Sequence, residues 1–213
     1  MSTKLNPNKA LIFRIVHRDN VYWILEHGMH CRNFAVQAPH YRTIGNPDLI
    51  DKRQHRVVPI PPGGTLSDYV PFYFTPYSPM ILNIKTGYGG VARVPNDEIV
   101  IFVSSLHKLT ELGQPYVFTD RHAYLLNAKF YSKLNELENI DWKILQSRDF
   151  KRDPDDPGKI ERYQAEALIN NHVTADAFLG VVCYTDEIKD QLDQWLDQRG
   201  QELKVAKQPG WYF

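Results

Sequence analysis

Apolar residues along the chain gather in short runs, each closed by a turn or capping signal, and no long helical period dominates. ALIFRIV (10–16) is apolar and β-branched and predicts a first strand. RDNVYWILEHG follows, with Asp19 placed to cap a short helix and Gly28 to end it. Residues 29–64 show no clear period, only a long polar loop with scattered aromatics that closes in the turn IPPGG (60–64). Loops of that length are uncommon unless they act on something or are ordered by a ligand. DYVPFYFTPYSPMIL (68–82) suits an extended segment, but Pro71, Pro76 and Pro79 predict an irregular stretch or a sheet edge rather than a central strand.

After the GYGG turn (87–90), EIVIFVSS (98–105) predicts a buried strand, SLHKLTELG a short helix from a serine cap to a glycine stop, and PYVFTD another strand. A helix is expected over 122–137, capped by Thr119 or Asp120, with Tyr124, Leu125, Ala128, Phe130, Tyr131 and Leu134 as its apolar stripe. A short helix around DWKIL comes next, then a helix holding KIERYQAEALI (159–169). AFLGVVCYT (177–185) predicts a buried strand, and TDEIKDQLDQWLDQRG an amphipathic helix capped by Thr185 or Asp186 and ended by Gly200. LKVAKQ reads as a last, exposed strand. Strands and helices mix without a repeating βαβ unit, so an α+β fold is expected rather than a doubly wound parallel sheet.

Composition narrows this picture. The 213 residues are 43% hydrophobic and 23% charged, the profile of one ordinary globular domain over 1–213. No run approaches the roughly 18 apolar residues of a membrane span, and MSTKLNPNKALIF lacks the apolar centre of a signal peptide, so a cytoplasmic protein is expected. Cys31 and Cys183 lie far apart and read as ordinary thiols. Net charge is zero, yet residues 1–60 hold nine Lys and Arg against four Asp and Glu, with five of the eight histidines. A locally electropositive surface that attracts phosphates fits this asymmetry; a strongly basic general nucleic-acid binder does not.

Motifs for known chemistry are mostly missing. The chain has no GxxxxGK[ST], no GxGxxG between strand and helix, and no HEXXH. His27, His30 and Cys31 could present metal ligands, but no second cluster completes four-coordination, so no metal is expected. In DKRQHR (51–56), Lys52, Arg53, His55 and Arg56 form either a solvated run or a phosphate-handling one, since the arginine fork suits phosphate and carboxylate. Tyr69, Phe72, Tyr73, Phe74 and Tyr77 are read first as core; the alternative is base stacking, worth roughly 1–3 kcal/mol per base. On a helical wheel Glu166 falls at the border of the apolar side, where a carboxylate is ordinarily solvated.

Together these stretches resemble a known family, the DarT toxins that ADP-ribosylate DNA. IFRIVHRDNVYWIL, KRQHRVVPIPPGGTLSDYVPFYFTPYSPM, PYVFTDRHAYLLNAKF, QAEALI and the terminal WYF follow the family's order and spacing over nearly the whole chain. The resemblance implies an ADP-ribosyltransferase fold, an α+β core with a split central β-sheet and surrounding helices, that binds NAD+ in its cleft. It also implies transfer of ADP-ribose from NAD+ to thymine in single-stranded DNA, a toxin's activity neutralised by a macrodomain antitoxin of the DarG kind. The family's essential glutamate falls at Glu166 and its essential arginine at Arg53. By the same resemblance, Arg14, His17, Asn20, Arg53 and Tyr73 belong to NAD+ binding, and Met80, His122 and Tyr77 to the DNA substrate. The departure from the family pattern is Arg14, where close relatives carry histidine.

That chemistry gives the residues work to do. Breaking the nicotinamide–ribose bond builds oxocarbenium-like charge on the sugar, which a carboxylate at Glu166 would stabilise. Thymine N3 attacks poorly until its proton is lost, so a base must act or a fixed cation must stabilise the anion. Arg53, with Glu166 or His122, is the candidate for this step; because arginine is essentially always protonated, electrostatic stabilisation and phosphate contact suit Arg53 better than proton abstraction. Because N3 is hidden by pairing in a duplex, single strands are the natural substrate. Two other readings stay open: a related transferase acting on RNA or protein, and a catalytically silent single-strand-binding module with the same fold.

Overall fold

The computed structural model describes residues 5–213. In chain order the elements are β1 (Leu11–His17), α1 (Val21–His27), β2 (Met29–His30), α2 (Pro47–Arg53), β3 (Tyr69–Tyr73), α3 (Pro79–Thr86), β4 (Ile99–Ser105), α4 (Leu106–Glu111), β5 (Tyr116–Thr119), β6 (Phe130–Tyr131), α5 (Trp142–Ser147), α6 (Lys159–Arg162), β7 (Glu166–Asn170), β8 (His172–Val173), β9 (Gly180–Cys183), α7 (Asp186–Arg199) and β10 (Val205–Lys207). Eight strands form one sheet in the order β10-β9-β4-β1-β3-β7-β5-β6; β2 and β8 pair separately. This is the expected α+β class, a large central sheet with helices around it.

The sheet is split near its middle. β1 and β4 share a continuous antiparallel register from Leu11↔Ser105 to His17↔Ile99, and β3 and β7 run together from Tyr69↔Asn170 to Tyr73↔Glu166. Between these halves, β1 and β3 are in register only at Phe13↔Tyr73. The cleft opens where they part.

Burial along β4 is nearly complete: Ile99, Val100, Ile101 and Phe102 are inaccessible, each contributing about 1.5–3 kcal/mol of hydrophobic stabilisation. Val58, Leu66, Tyr69, Val117, Ala123 and Leu168 form a smaller second core. It clamps the segment after α2, the loop after β5, and the strands β3, β5 and β7. Capping fixes several ends, at Ser105 and Thr185 as the sequence predicts and also at Asp141. Ser105 accepts from Lys108 N–H at 3.0 Å, Asp141 from Ile144 N–H at 3.1 Å and Thr185 from Ile188 N–H at 3.2 Å. Gly28 and Gly200 end α1 and α7 at φ 77° and 61°, a region that favours glycine. β10 lies at the sheet edge, parallel to β9.

Four expectations fail for identifiable reasons. Asp19 does not cap α1; its carboxylate binds Arg42 at 2.9 Å, and the helix starts after Asn20. β3 is a central strand despite Pro71, because on the β1 side the sheet has already parted and offers no ladder partner there. No helix spans 122–137. Asp120 accepts from Lys129 N–H at 3.0 Å, Phe130 and Tyr131 pair with β5, and Leu126 is 88% exposed, so tertiary bonds override the helical pattern. Finally, the helix expected over KIERYQAEALI ends at Arg162; residues 166–170 form β7, flanked on both sides by β3 and β5.

Candidate active site

Glu166 opens β7 and is 1% exposed, although its neighbours in sequence are apolar. A carboxylate buried so deeply must be paired or bonded. One oxygen accepts from Arg53 Nη1 at 2.9 Å, and the other from the backbone N–H of Ala123 at 2.9 Å. Thr119 Oγ1 accepts from the Glu166 backbone N–H at 3.2 Å and fixes the start of the strand.

Arg53 reaches the carboxylate from the last turn of α2. That helix is short and buries none of its residues; it forms because Asn46 accepts from Leu49 N–H at 3.1 Å and Pro47 occupies the first turn. Arg53 and Glu166, 113 positions apart in sequence, thus make an ion pair whose side chains are 11% and 1% exposed.

His122 Nδ1 lies 3.5 Å from Glu166 Oε1 but accepts from Tyr124 N–H at 3.2 Å, which leaves the ring proton on Nε2. Burial lowers the His122 pKa, Glu166 opposes this and Arg53 adds to it; the net shift is downward, so the ring is neutral at pH 7. For Glu166, burial pushes the carboxyl upward. The Arg53 guanidinium, with His122 and the Ala123 N–H behind it, outweighs burial and holds the group below the ordinary carboxylate value. Because the His122 ring is neutral, that effect falls chiefly to Arg53. Tyr73 sits opposite Glu166 in the β3–β7 register, and burial, followed by the Glu166 charge, pushes its hydroxyl up to about 12.

These groups line a cavity of about 380 Å³ that occupies the split between β1 and β3, a size within the range of small-molecule sites. Arg14, Arg53, Tyr73, Met80, His122 and Glu166 all face it. Two guanidinium nitrogens in its wall, Arg14 Nε and Arg53 Nη2, are buried without a hydrogen-bond partner. Unpaired buried donors of this kind suit an anionic ligand such as a diphosphate.

The remaining residues expected at the site stand elsewhere. His17 does not line the cavity; its Nε2 bonds Glu98 at 3.0 Å and its Nδ1 accepts from Asp19 N–H at 3.1 Å. Asn20 acts one step back, donating to the Arg42 carbonyl and accepting from the Arg42 N–H, both at 2.8 Å, which pins the loop that forms one cavity wall. Tyr77 is buried under Arg148, whose guanidinium stands 3.5 Å from the ring centroid. His27 and His30 are engaged with backbone carbonyls, His30 with those of Val36 at 2.7 Å and His27 at 3.1 Å.

Sequence reasoning missed the Ala123 N–H, because a backbone donor leaves no mark in residue identity. It also missed the cavity walls supplied by Trp23, Tyr41 and Ser67. Trp23 and Tyr41 carried a signal, as aromatics in or beside a long loop that suggested function.

The DarT family model, described as ssDNA thymidine ADP-ribosyltransferase, matches residues 13–213. A DNA ADP-ribosyl transferase of Escherichia coli O127:H6 is 57% identical over 212 residues, covering 100% of this chain and 97% of its relative. The fold superposes on Thermus sp. 2.9 DarT in complex with ADP-ribosylated ssDNA with a TM-score of 0.89, at 31% identity and over 97% and 98% of the two chains. The same Thermus protein in complex with NAD+ gives a TM-score of 0.83 at 32% identity, over 97% and 99%. A family model matching nearly the whole length, and relatives alike from end to end, identify the chain as a member of the DarT family of single-stranded-DNA thymidine ADP-ribosyltransferases.

Proposed function

We propose that the protein transfers ADP-ribose from NAD+ to a thymine base of single-stranded DNA, with Glu166 and Arg53 at the reaction centre. One observation carries this reading: a carboxylate 1% exposed, held ionised by a guanidinium at 2.9 Å and a backbone N–H at 2.9 Å, facing the cavity between the sheet halves.

The residues present fit the dinucleotide. Arg14 and Arg53 would meet its diphosphate through their unpartnered nitrogens, and Trp23, Tyr41 and Tyr73 offer rings to its flat groups. When bound, NAD+ supplies an ADP-ribosyl group with nicotinamide as its leaving group. Glu166 then stabilises the positive charge that develops on the ribose, an interaction stronger in the transition state than before it. Its bonds to Arg53 and Ala123 keep it ionised and aimed, so little reorganisation is needed at the moment of reaction. Arg53 adds a fixed positive charge where thymine N3 becomes anionic. His122, neutral with its proton on Nε2 and its Nδ1 occupied by the Tyr124 N–H, can donate a hydrogen bond to the incoming base. The thymine N3 proton passes to the Glu166 carboxylate as the N3–ribose bond forms and nicotinamide departs. Met80, beside the cavity, belongs to the DNA side of the site. Asn20 supports one wall through Arg42, whereas His17 and Tyr77 lie off the cavity.

The family role extends to a toxin acting in the cytoplasm and a macrodomain antitoxin that removes the modification. Among the described residues no helix is long and apolar enough to cross a membrane.

Incubating the protein with NAD+ and a panel of single-stranded oligonucleotides, then weighing the products, tests the reading. Thymine-containing strands should gain the mass of one ADP-ribose and thymine-free strands should not. Modification of RNA or protein in place of DNA would overturn the substrate assignment, and no transfer to any of them would overturn the activity.

A further inference from the structure

The DKRQHR run holds a second arginine that the mechanism above leaves unused. Arg56 follows Arg53 by one turn, and its N–H bonds the Arg53 carbonyl at 3.2 Å. Its side chain turns to the loop after β5. Nη2 donates to the Leu125 carbonyl at 2.9 Å, and Nε lies 3.5 Å from the Ala123 carbonyl. That loop supplies both the Ala123 N–H that holds Glu166 and the His122 ring beside it.

Besides the packing of Ala123 in the second core, the loop is hydrogen-bonded at its ends. Asp120 accepts from Lys129 N–H at 3.0 Å, and His122 N–H donates to the Glu161 carbonyl at 3.0 Å. Between these ties, its tip projects into solvent at Leu126. The Arg56 backbone carbonyl in turn accepts from Leu66 N–H at 2.9 Å, which anchors Arg56 to the second core.

We propose that Arg56 is a positioning residue: it couples the α2 turn carrying Arg53 to the loop carrying Ala123 and His122, so that all three groups meet Glu166 in one arrangement. Arg56 touches no reacting atom; it fixes where the carboxylate's partners stand. A fork that grips two carbonyls suits this task, and an ammonium can hold only one at a time in the same geometry. This inference rests on the proposed transferase reading.

The test is steady-state transfer to a thymine-containing single strand by wild type, Arg56→Lys and Arg56→Ala, with kcat, the KM for NAD+ and the pH dependence of kcat measured for each. Arg56→Ala should lower kcat about 10²-fold, the scale of a small misplacement of reacting groups, with little change in KM. Arg56→Lys should fall between it and wild type. The acid limb of the kcat profile should also move to higher pH in Arg56→Ala, because Glu166 loses the firm placement of its Ala123 donor; a merely destabilised protein would lose amplitude without moving that limb. If Arg56→Ala does not fold, Arg56→Lys decides, with the same split between kcat and KM. Unchanged kcat in a folded variant, or a loss confined to KM, overturns the positioning role. Failure of the wild type to transfer at all would instead overturn the activity on which the inference rests.

Discussion

Removing Arg53 should expose how tightly the central pair is coupled. Coulomb's law at an effective permittivity of about 20 gives roughly 6 kcal/mol for unit charges at the 2.9 Å separation of Arg53 and Glu166. Water entering from the cavity screens part of this, and the Ala123 N–H continues to serve the carboxylate. Arg53→Ala should therefore cost about 3–5 kcal/mol, the scale for a buried charge left without its partner. Glu166→Gln removes the charge but keeps the shape and an acceptor for Ala123. The double variant should consequently be more stable than Arg53→Ala alone, by about 1–3 kcal/mol, because the stranded carboxylate is gone. Urea unfolding followed by tryptophan fluorescence measures all four proteins, with equal slopes confirming a common unfolding transition. If the two single effects simply add, within about 0.5 kcal/mol, the pair is not coupled and the electrostatic account of Glu166 is wrong.

Other consequences can be checked separately. Glu166→Gln should reduce transfer by about 10²–10³-fold, as loss of one preorganised charge-stabilising group does, and near-wild-type turnover would remove Glu166 from the mechanism. Both Glu166 and His122 have folded pKa values below their ordinary 4.5 and 6.5, so the unfolded chain takes up protons first as pH falls. Stability contributed by His122 should be lost progressively below pH 6.5 and that from Glu166 below pH 4.5. His122→Asn should flatten the upper part of that decline in urea midpoints; an unaltered slope between those pH values would contradict the assignment. Asn20→Ala frees the loop at Arg42 and should raise the KM for NAD+ about 5-fold, equivalent to about 1 kcal/mol, with kcat little affected. Thr185→Ala, distant from the cavity, should cost about 1 kcal/mol of stability through the lost α7 cap and leave transfer rates as they are.

The sequence made some of this legible. Strands with continuous apolar runs, such as β4, and helices with a cap and a glycine stop, such as α7, could be read directly, because both signals are local. α2 could not be found by periodicity, since it buries nothing; only Asn46 followed by Pro47 marks its start. Residues 122–137 have a helical pattern, but Asp120 and the β5 partner claim the backbone first, a tertiary effect invisible to a sliding window. Glu166 is the most instructive position. A helical wheel leaves it at a solvated border, whereas the short apolar run Ala167, Leu168 and Ile169 that follows it belongs to a strand buried on both faces, and at the head of that run a lone carboxylate is costly unless it has a purpose. Physical reading of the residues alone could not join Arg53 to Glu166 across 113 positions; the resemblance to the DarT family paired them, and the split sheet brings them to 2.9 Å.

The most direct test of the central claim is a crystal structure of the protein with NAD+ or an uncleavable analogue. The account predicts the dinucleotide in the split between β1 and β3, its diphosphate against Arg14 and Arg53 and the nicotinamide-bearing ribose carbon beside the Glu166 carboxylate. A dinucleotide bound outside that split, or one whose nicotinamide ribose lies away from Glu166, would contradict it.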